Sequence, residues 1–297
     1  MGRLIKNIFI FATILIGLDL LYGKFMLFIE RRIDTPNYHC LNEAKEDILV
    51  LGSSFAKRSV VPDIISKILG KTCYNASEPG HGILCSYARC QLFLANHKPE
   101  LIVYALTPGF DYYKDESNHK YLRPLKPVFN NEEVSQVVRT VSSDQYLNVK
   151  SLSYFYRYNE LLFSYLGRLL NKKENDNGYE SLTGDFNLAS QGYRRTTSKI
   201  DSLKLNYLKK MCSLADNAGI KIVFIITPVF DFDNSSMSDY DVAYQVSKDH
   251  NIPILNDLNN KYISQDISYF YDPCHLNDKG ARAYSKILAN QLKQFIN

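Results

Sequence analysis

Asp47-Ile48-Leu49-Val50-Leu51-Gly52-Ser53-Ser54 is the stretch on which the reading of this chain turns. Four apolar residues follow one acid without polar alternation, and then Gly and Ser end the run. A strand of an antiparallel sheet with one wet face alternates. A run of this length buried on both faces is the mark of a central parallel strand. Parallel neighbours require crossover connections, so helices are expected on either side of it.

The flanking sequence supplies them. Val60 to Leu69 has helical spacing and stops at Gly70, and Thr72 to Asn75 reads as a second strand. Gly82 to His97 reads as a helix ended by Pro99, and Glu100 to Leu106 as a third strand stopped by Pro108. Much later, a helix from about Ser198 to Asn217 stops at Gly219 and leads into a fourth strand, Ile220 to Ile226. Met237 to His250 is helical, Ile252 to Asn256 is a fifth strand, and Asn277 to Phe295 is a closing helix. This rhythm predicts a three-layer α/β/α sandwich on a central parallel sheet, flavodoxin-like in strand order, over residues 45–297.

The rhythm breaks between 108 and 198. That insertion is rich in Tyr, Asn and charge, with helices expected at Glu132–Val141 and Leu152–Leu170. The polar run from Asn171 to Gly178 is expected to be an exposed loop. Two readings stay open for the insertion: a wall over a substrate cleft, or a decoration packed on a sheet edge.

The amino terminus, residues 1–30, has a different character. No charge occurs from Ile8 to Leu18, and only Asp19 and Lys24 interrupt the apolar run to Ile29. As a helix, Ile8 to Ile29 reaches about 33 Å, enough to cross a bilayer core of roughly 30 Å. Asp19 and Lys24 lie in its second half, where Lys24 can snorkel to the far interface. The favoured reading is an uncleaved membrane helix. A cleaved signal ending near Leu18 lacks a small-x-small site, and a buried core helix is the third reading. Arg3 and Lys6 on one side nearly balance Lys24, Arg31 and Arg32 on the other, so charge does not set orientation. The simplest layout, an anchor followed by one long domain, places that domain outside the cytoplasm.

Composition removes other classes. The 297 residues are 45% hydrophobic with fourteen Gly and ten Pro, which excludes a disordered or collagen-like chain. Net charge is only +4, without the clustered Lys and Arg that phosphate binding needs, so no nucleic-acid partner is expected. Six Cys are few for a disulfide framework in a chain this long. His81, Cys85 and Cys90 lack zinc-type Cys-x-x-Cys pairs, so no metal is assigned, and no cofactor is expected.

The chemistry gathers at the strand ends, where open α/β sheets bind ligands. Gly52-Ser53-Ser54 presents a hydroxyl at the start of a helix, beside backbone N–H groups able to hold a developing oxyanion. A hydroxyl is a weak nucleophile until a base takes its proton, and neutral His suits that work near pH 7. Asp272-Pro273-Cys274-His275-Leu276-Asn277, just before the last helix, supplies His275 with a carboxylate three residues upstream to fix its tautomer. Asn277 is placed to cap that helix. Arg58, one helical turn beyond Ser54, either meets an anionic substrate group or forms a structural ion pair. His81 and the basic pair Arg194-Arg195 read more simply as surface groups.

Val50-Leu51-Gly52-Ser53-Ser54 with Asp272-Pro273-Cys274-His275-Leu276-Asn277-Asp278-Lys279-Gly280 resembles the first and last blocks of the SGNH/GDSL hydrolase superfamily. The resemblance covers Asp47–Leu106 and Ile220–Phe295 and leaves the insertion unexplained. It implies Ser54 as nucleophile, His275 as general base and then acid, and Asp272 as its orienting partner. Ser53 stands where the family usually has Asp. Such Gly-Ser-Ser variants look like a membrane-anchored branch that acts on cell-envelope polymers, similar to polysaccharide O-acetyltransferases and to the D-alanyl transfer protein of teichoic acid modification. The implied activity is that of a serine esterase or O-acyltransferase working through an acyl-serine. Its implied partners are an acylated carbohydrate or other ester substrate, the membrane, and a membrane-bound protein as acyl donor. The family's Gly oxyanion donor follows strand two, where Ser77, Gly80 and Gly82 are candidates. Its Asn donor follows strand three, where this chain has Ala105-Leu106-Thr107-Pro108-Gly109 and offers the Thr107 hydroxyl instead. That departure keeps a second class in view, a catalytically weak or inactive protein that binds polysaccharide or assists assembly.

Overall fold

In a computed structural model the chain is described at residues 1–114, 120–142, 144–170, 176–184, 186–187, 199–230 and 234–296. In chain order it runs α1 (Gly2–Ile33), α2 (Pro36–Asn42), β1 (Ile48–Gly52), α3 (Ser54–Lys57), α4 (Pro62–Leu69), β2 (Cys73–Asn75), α5 (Ile83–Leu94) and β3 (Leu101–Ala105). The insertion carries α6 (Pro108–Asp111), a 3₁₀ segment (Lys120–Val128), α7 (Glu132–Val141), α8 (Leu147–Lys150), α9 (Tyr154–Tyr158) and α10 (Leu162–Leu170). Then follow α11 (Ser202–Asn217), β4 (Lys221–Ile226), α12 (Asp241–His250), β5 (Ile254–Asn256), β6 (Phe270–Asp272), β7 (His275–Leu276) and α13 (Asp278–Leu292).

The sheet has the order β2-β1-β3-β4-β5 with every pair parallel, the flavodoxin-like arrangement. Side chains of β1 alternate between two cores. Ile48 and Val50 pack with Ile65 of α4 and Tyr284 and Leu288 of α13. Leu49 and Leu51 pack with Leu84, Ala88 and Leu92 of α5 and with Leu208 and Met211 of α11. Both faces of the strand are covered, so an unbroken apolar run is stable here.

Several local expectations need correction. Leu152–Leu170 is not one helix: it breaks into α9 and α10, although the sequence holds no Pro or Gly at the break. The amino end of α9 lies on Asp19 of α1, whose carboxylate accepts from Ser153 Oγ (2.8 Å), Tyr154 N (2.9 Å) and Phe155 N (2.8 Å). Residues 234–240 are 3₁₀, so the helix expected from Met237 starts as α-helix only at Asp241. The closing helix likewise tightens to 3₁₀ at Lys293–Phe295. In the polar run expected to be exposed, Gly178 is buried against the edge of β2, and Asn75 N donates to Asn177 O at 2.9 Å. A Cβ at Gly178 would lie 2.2 Å from Asn75 O, and its φ is +90°. Residues 171–175, and with them part of that run, lie outside the described residues, as do Ser198, Arg194 and Arg195.

The insertion does two things. Its middle packs on α1, where Tyr158, Leu161 and Tyr165 enclose Met26 and Ile29. Its later part passes the carboxyl-end loops, with Glu180 N donating to Lys57 O (3.1 Å) and Asn187 N to Tyr271 O (2.7 Å). Helix α1 is long and apolar enough to cross a membrane, and none of its most apolar window is buried.

Candidate active site

The site begins with a glycine that no other residue can replace. Gly52 has φ +143°, and a Cβ there would meet Ala105 O of the neighbouring strand at 2.9 Å. The chain can therefore leave β1 and turn directly into α3. Ser53 is the cap of that helix, accepting from Phe55 N at 3.3 Å. Ser54 is its first residue and is nearly buried. Among the described residues nothing accepts the Ser54 N–H, one of the donors that a helix start leaves without an intrahelical partner.

The opposing groups come from a hairpin. Strands β6 and β7 pair antiparallel with an irregular register, which sets Asp272 across from His275. Asp272 Oδ1 accepts from the backbone N–H of both Cys274 and His275, each at 2.9 Å, so the turn and the carboxylate hold each other. Asp272 Oδ2 lies 2.9 Å from His275 Nδ1, and His275 Nε2 lies 2.8 Å from Ser54 Oγ. Hydroxyl, imidazole and carboxylate thus form one continuous hydrogen-bonded chain across 221 residues of sequence separation between Ser54 and His275. Burial pushes the Asp272 carboxyl up, but the His275 hydrogen bond and charge, with the Cys274 N–H, outweigh it and hold the group well below the usual carboxylate range. Asp272 is therefore ionised at neutral pH.

The hairpin is anchored from behind. Asn277 donates to Ser268 O (2.9 Å) and Phe270 O (3.2 Å) and accepts from Gly280 N (2.9 Å), so one side chain caps α13 and ties β6 in place. Gly280 fits because a Cβ there would be 2.1 Å from Tyr269 O. Phe230 N donates to Pro273 O at 3.0 Å, joining the hairpin turn to the loop after β4.

The remaining expected residues are placed as follows. Thr107 is buried beneath the nucleophile turn, with its hydroxyl 2.7 Å from Ser53 Oγ and its N–H donated to Asp111 Oδ2 at 2.6 Å. Its N–H is thus donated inside the protein, and its hydroxyl is paired with that of Ser53. Arg58 ends α3 and forms an ion pair with Glu180 of the insertion at 3.6 Å, the structural alternative left open for it. Gly80 sits in the turn after β2 with φ +75°, and that loop is tied to the nucleophile turn by Glu78 N donating to Gly52 O at 3.2 Å. Ser77 N is taken by Asn75 Oδ1 at 3.1 Å, which leaves Gly80 and Gly82 as the uncommitted N–H donors of that loop among the described residues. His81 Nδ1 contacts Pro79 O at 2.8 Å.

Two features of the site were not foreseen. One is the chain Ser53–Thr107–Asp111–Tyr104, closed by Tyr104 O–H donating to Asp111 Oδ1 at 2.6 Å. Burial drives the Asp111 carboxyl up to about 7 against the hydrogen bonds from Tyr104 and Thr107. The other is Cys274, whose Sγ lies 3.3 Å from Asp272 Oδ1 and 3.4 Å from His275 Nδ1. All six cysteines are buried, and none is joined in a disulfide.

No protein-family model and no curated protein matches the chain. Solved structures similar to it are remote. They include a candidate lipolytic protein of the G-D-S-L family from Desulfitobacterium hafniense, 8% identical over 82% of this chain and 97% of that one, TM-score 0.44. A lipase/acylhydrolase from Enterococcus faecalis is 11% identical over 84% and 97%, TM-score 0.41. LAE5, an alpha/beta hydrolase enzyme from the metagenome of Lake Arreo, is 10% identical over 86% and 97%, TM-score 0.45. The reading of the site rests on this chain's own geometry.

Proposed function

We propose that this protein is a serine-dependent acyl esterase or O-acyltransferase, held at a membrane by α1, with Ser54, His275 and Asp272 as its catalytic residues. The observation that carries the reading is the unbroken relay from Ser54 Oγ through His275 to Asp272. His275 Nε2 takes the Ser54 proton as Oγ attacks the ester carbonyl, while Asp272 holds Nδ1–H and stabilises the imidazolium. The carbonyl oxygen gains the negative charge, which the free Ser54 N–H at the helix start is placed to meet. The C–O bond then breaks, the leaving alkoxide takes the proton from His275, and an acyl-serine remains. Water or a sugar hydroxyl next attacks the acyl-serine, with His275 again accepting the proton and returning it to Ser54.

The substrate we assign is an acylated cell-envelope carbohydrate, with the domain outside the cytoplasm and a membrane-bound protein as donor if the reaction is transfer. The motif resemblance and the apolar helix support this reading. A second reading, a binding or assembly component of low activity, draws on Thr107, whose N–H and hydroxyl are both paired inside the protein; loss of one oxyanion donor lowers rates roughly 10²- to 10³-fold.

Replacing Ser54 by Ala is the test. Hydrolysis of a short-chain p-nitrophenyl ester should fall by at least about 10³-fold, and acyl content of surface polysaccharide should change in cells carrying the variant. Unchanged hydrolysis and unchanged acyl content together would overturn the enzyme reading.

A further inference from the structure

Beyond the first helix, exposed large apolar side chains are spread over the domain, Phe163 and Leu170 of α10 among them, but three lie close together against α1. Val149 (68% exposed), Leu152 (76%) and Phe155 (49%) lie in or beside a single turn of the insertion. Leu152 N donates to Val149 O at 3.1 Å, which keeps the first two together. This turn is seated on α1. The Phe155 ring stacks on the Tyr22 ring at 4.2 Å with 4° between planes, and Tyr154 lies over Gly23, where a Cβ would be 2.4 Å from its ring. The apolar turn therefore adjoins α1 at Tyr22 and Gly23, at the level of the exposed Leu21 and Phe25.

The length of α1 says what covers this patch. From Arg3 to Asp19 the helix rises only about 24 Å at 1.5 Å per residue. The hydrocarbon core of a bilayer is about 30 Å thick. A perpendicular helix entering the core at Arg3 reaches its far side near Tyr22 and the exposed Lys24, short of the end at Ile29 expected from the sequence, because Met26 and Ile29 are covered by the protein itself. The amino end of α9 is then carried to the margin of the apolar layer. Asp19 tolerates that depth because all its bonds are made within the protein, to Ser153, Tyr154 and Phe155.

We infer that Val149, Leu152 and Phe155 form a second membrane contact, a wedge that dips into the lipid interface beside α1 and fixes how the catalytic domain sits on the bilayer. The inference rests on the reading of α1 as a membrane anchor. It makes α1 more than a tether, because the Asp19 clamp joins helix and wedge into one unit.

The chain contains no Trp, so a single introduced Trp reports its own surroundings. Three variants of the full chain, Phe11→Trp in α1, Leu152→Trp in the wedge and Tyr262→Trp as a surface control, are reconstituted into phosphatidylcholine vesicles carrying shallow or deep spin-labelled lipid. Phe11→Trp and Leu152→Trp should both lose emission to the labels, Leu152→Trp more strongly to the shallow one, and Tyr262→Trp should lose none. Quenching of Phe11→Trp with water-like, unquenched emission from Leu152→Trp overturns the wedge and leaves the anchor standing. Blue-shifted but unquenched Leu152→Trp emission also overturns it, since protein, such as a second copy of the chain, then covers the patch. Unquenched Phe11→Trp overturns anchor and wedge together.

Discussion

At the scale of single residues, the proposed site separates into the hydroxyl–imidazole–carboxylate relay and the groups that hold it. Asp272 belongs to the relay itself. Asp272→Asn keeps the shape but removes the charge that fixes the His275 tautomer, and kcat for ester hydrolysis should fall by roughly 10⁴-fold with little change in KM. Thr107 acts one step away. Its hydroxyl supports Ser53, and Ser53 caps the helix that presents Ser54. Thr107→Val should lower kcat on the order of tenfold to a hundredfold by loosening that turn, and should cost about 1 kcal/mol in urea unfolding. The juxtaposed Ser54, His275 and Asp272, to which the proposal gives the roles of nucleophile, base and orienting carboxylate, stand in short motifs at strand ends that the sequence displays. The partner of Thr107 could not, because a hydroxyl pair between residues 53 and 107 leaves no local pattern.

At the scale of elements, the nucleophile turn and the hairpin are built differently, and this decided what was legible. β1 and the helices beside it follow from an apolar run, Gly stops and Pro breaks, all local signals. The β6–β7 hairpin has strands of three and two residues, too short for periodicity, and forms because Asp272 binds its own turn and Asn277 ties it to α13. Asn277→Ala removes the cap and both hairpin ties. It should cost at least about 1 kcal/mol in chemical denaturation and lower ester hydrolysis through His275, with KM moved less than kcat. The start of α9 was equally hidden, since it is held by Asp19, more than 130 residues earlier in the chain.

At the scale of the whole molecule, α1 is joined to the α/β domain by a buried charged clamp as well as by packing. The His39 ring lies between Asp34 and Glu46, each at 3.1 Å, and stacks on Tyr74 of β2. Burial lowers its pKa, but the two carboxylate hydrogen bonds outweigh it and raise the group to about 9. An unfolded His titrates near 6.5, so this clamp contributes fully below about pH 6.5 and is lost as pH rises through about 9. The thermal midpoint should therefore fall by roughly 5 °C across that window, and His39→Gln should flatten the decline. The sheet order and layers were readable from the alternation of strands and helices. The seating of the insertion on α1 was not, because it depends on Tyr158 and Tyr165 both reaching the buried Glu30 from far along the chain.

The most direct test of an activated Ser54 is labelling of the full chain with a fluorophosphonate, read by mass spectrometry of the tryptic peptides. Covalent adduct on Ser54, absent in Ser54→Ala and greatly slowed in His275→Ala, is the predicted result. A wild-type chain that takes no label, or takes it on Ser53 with Ser54 untouched, contradicts the account.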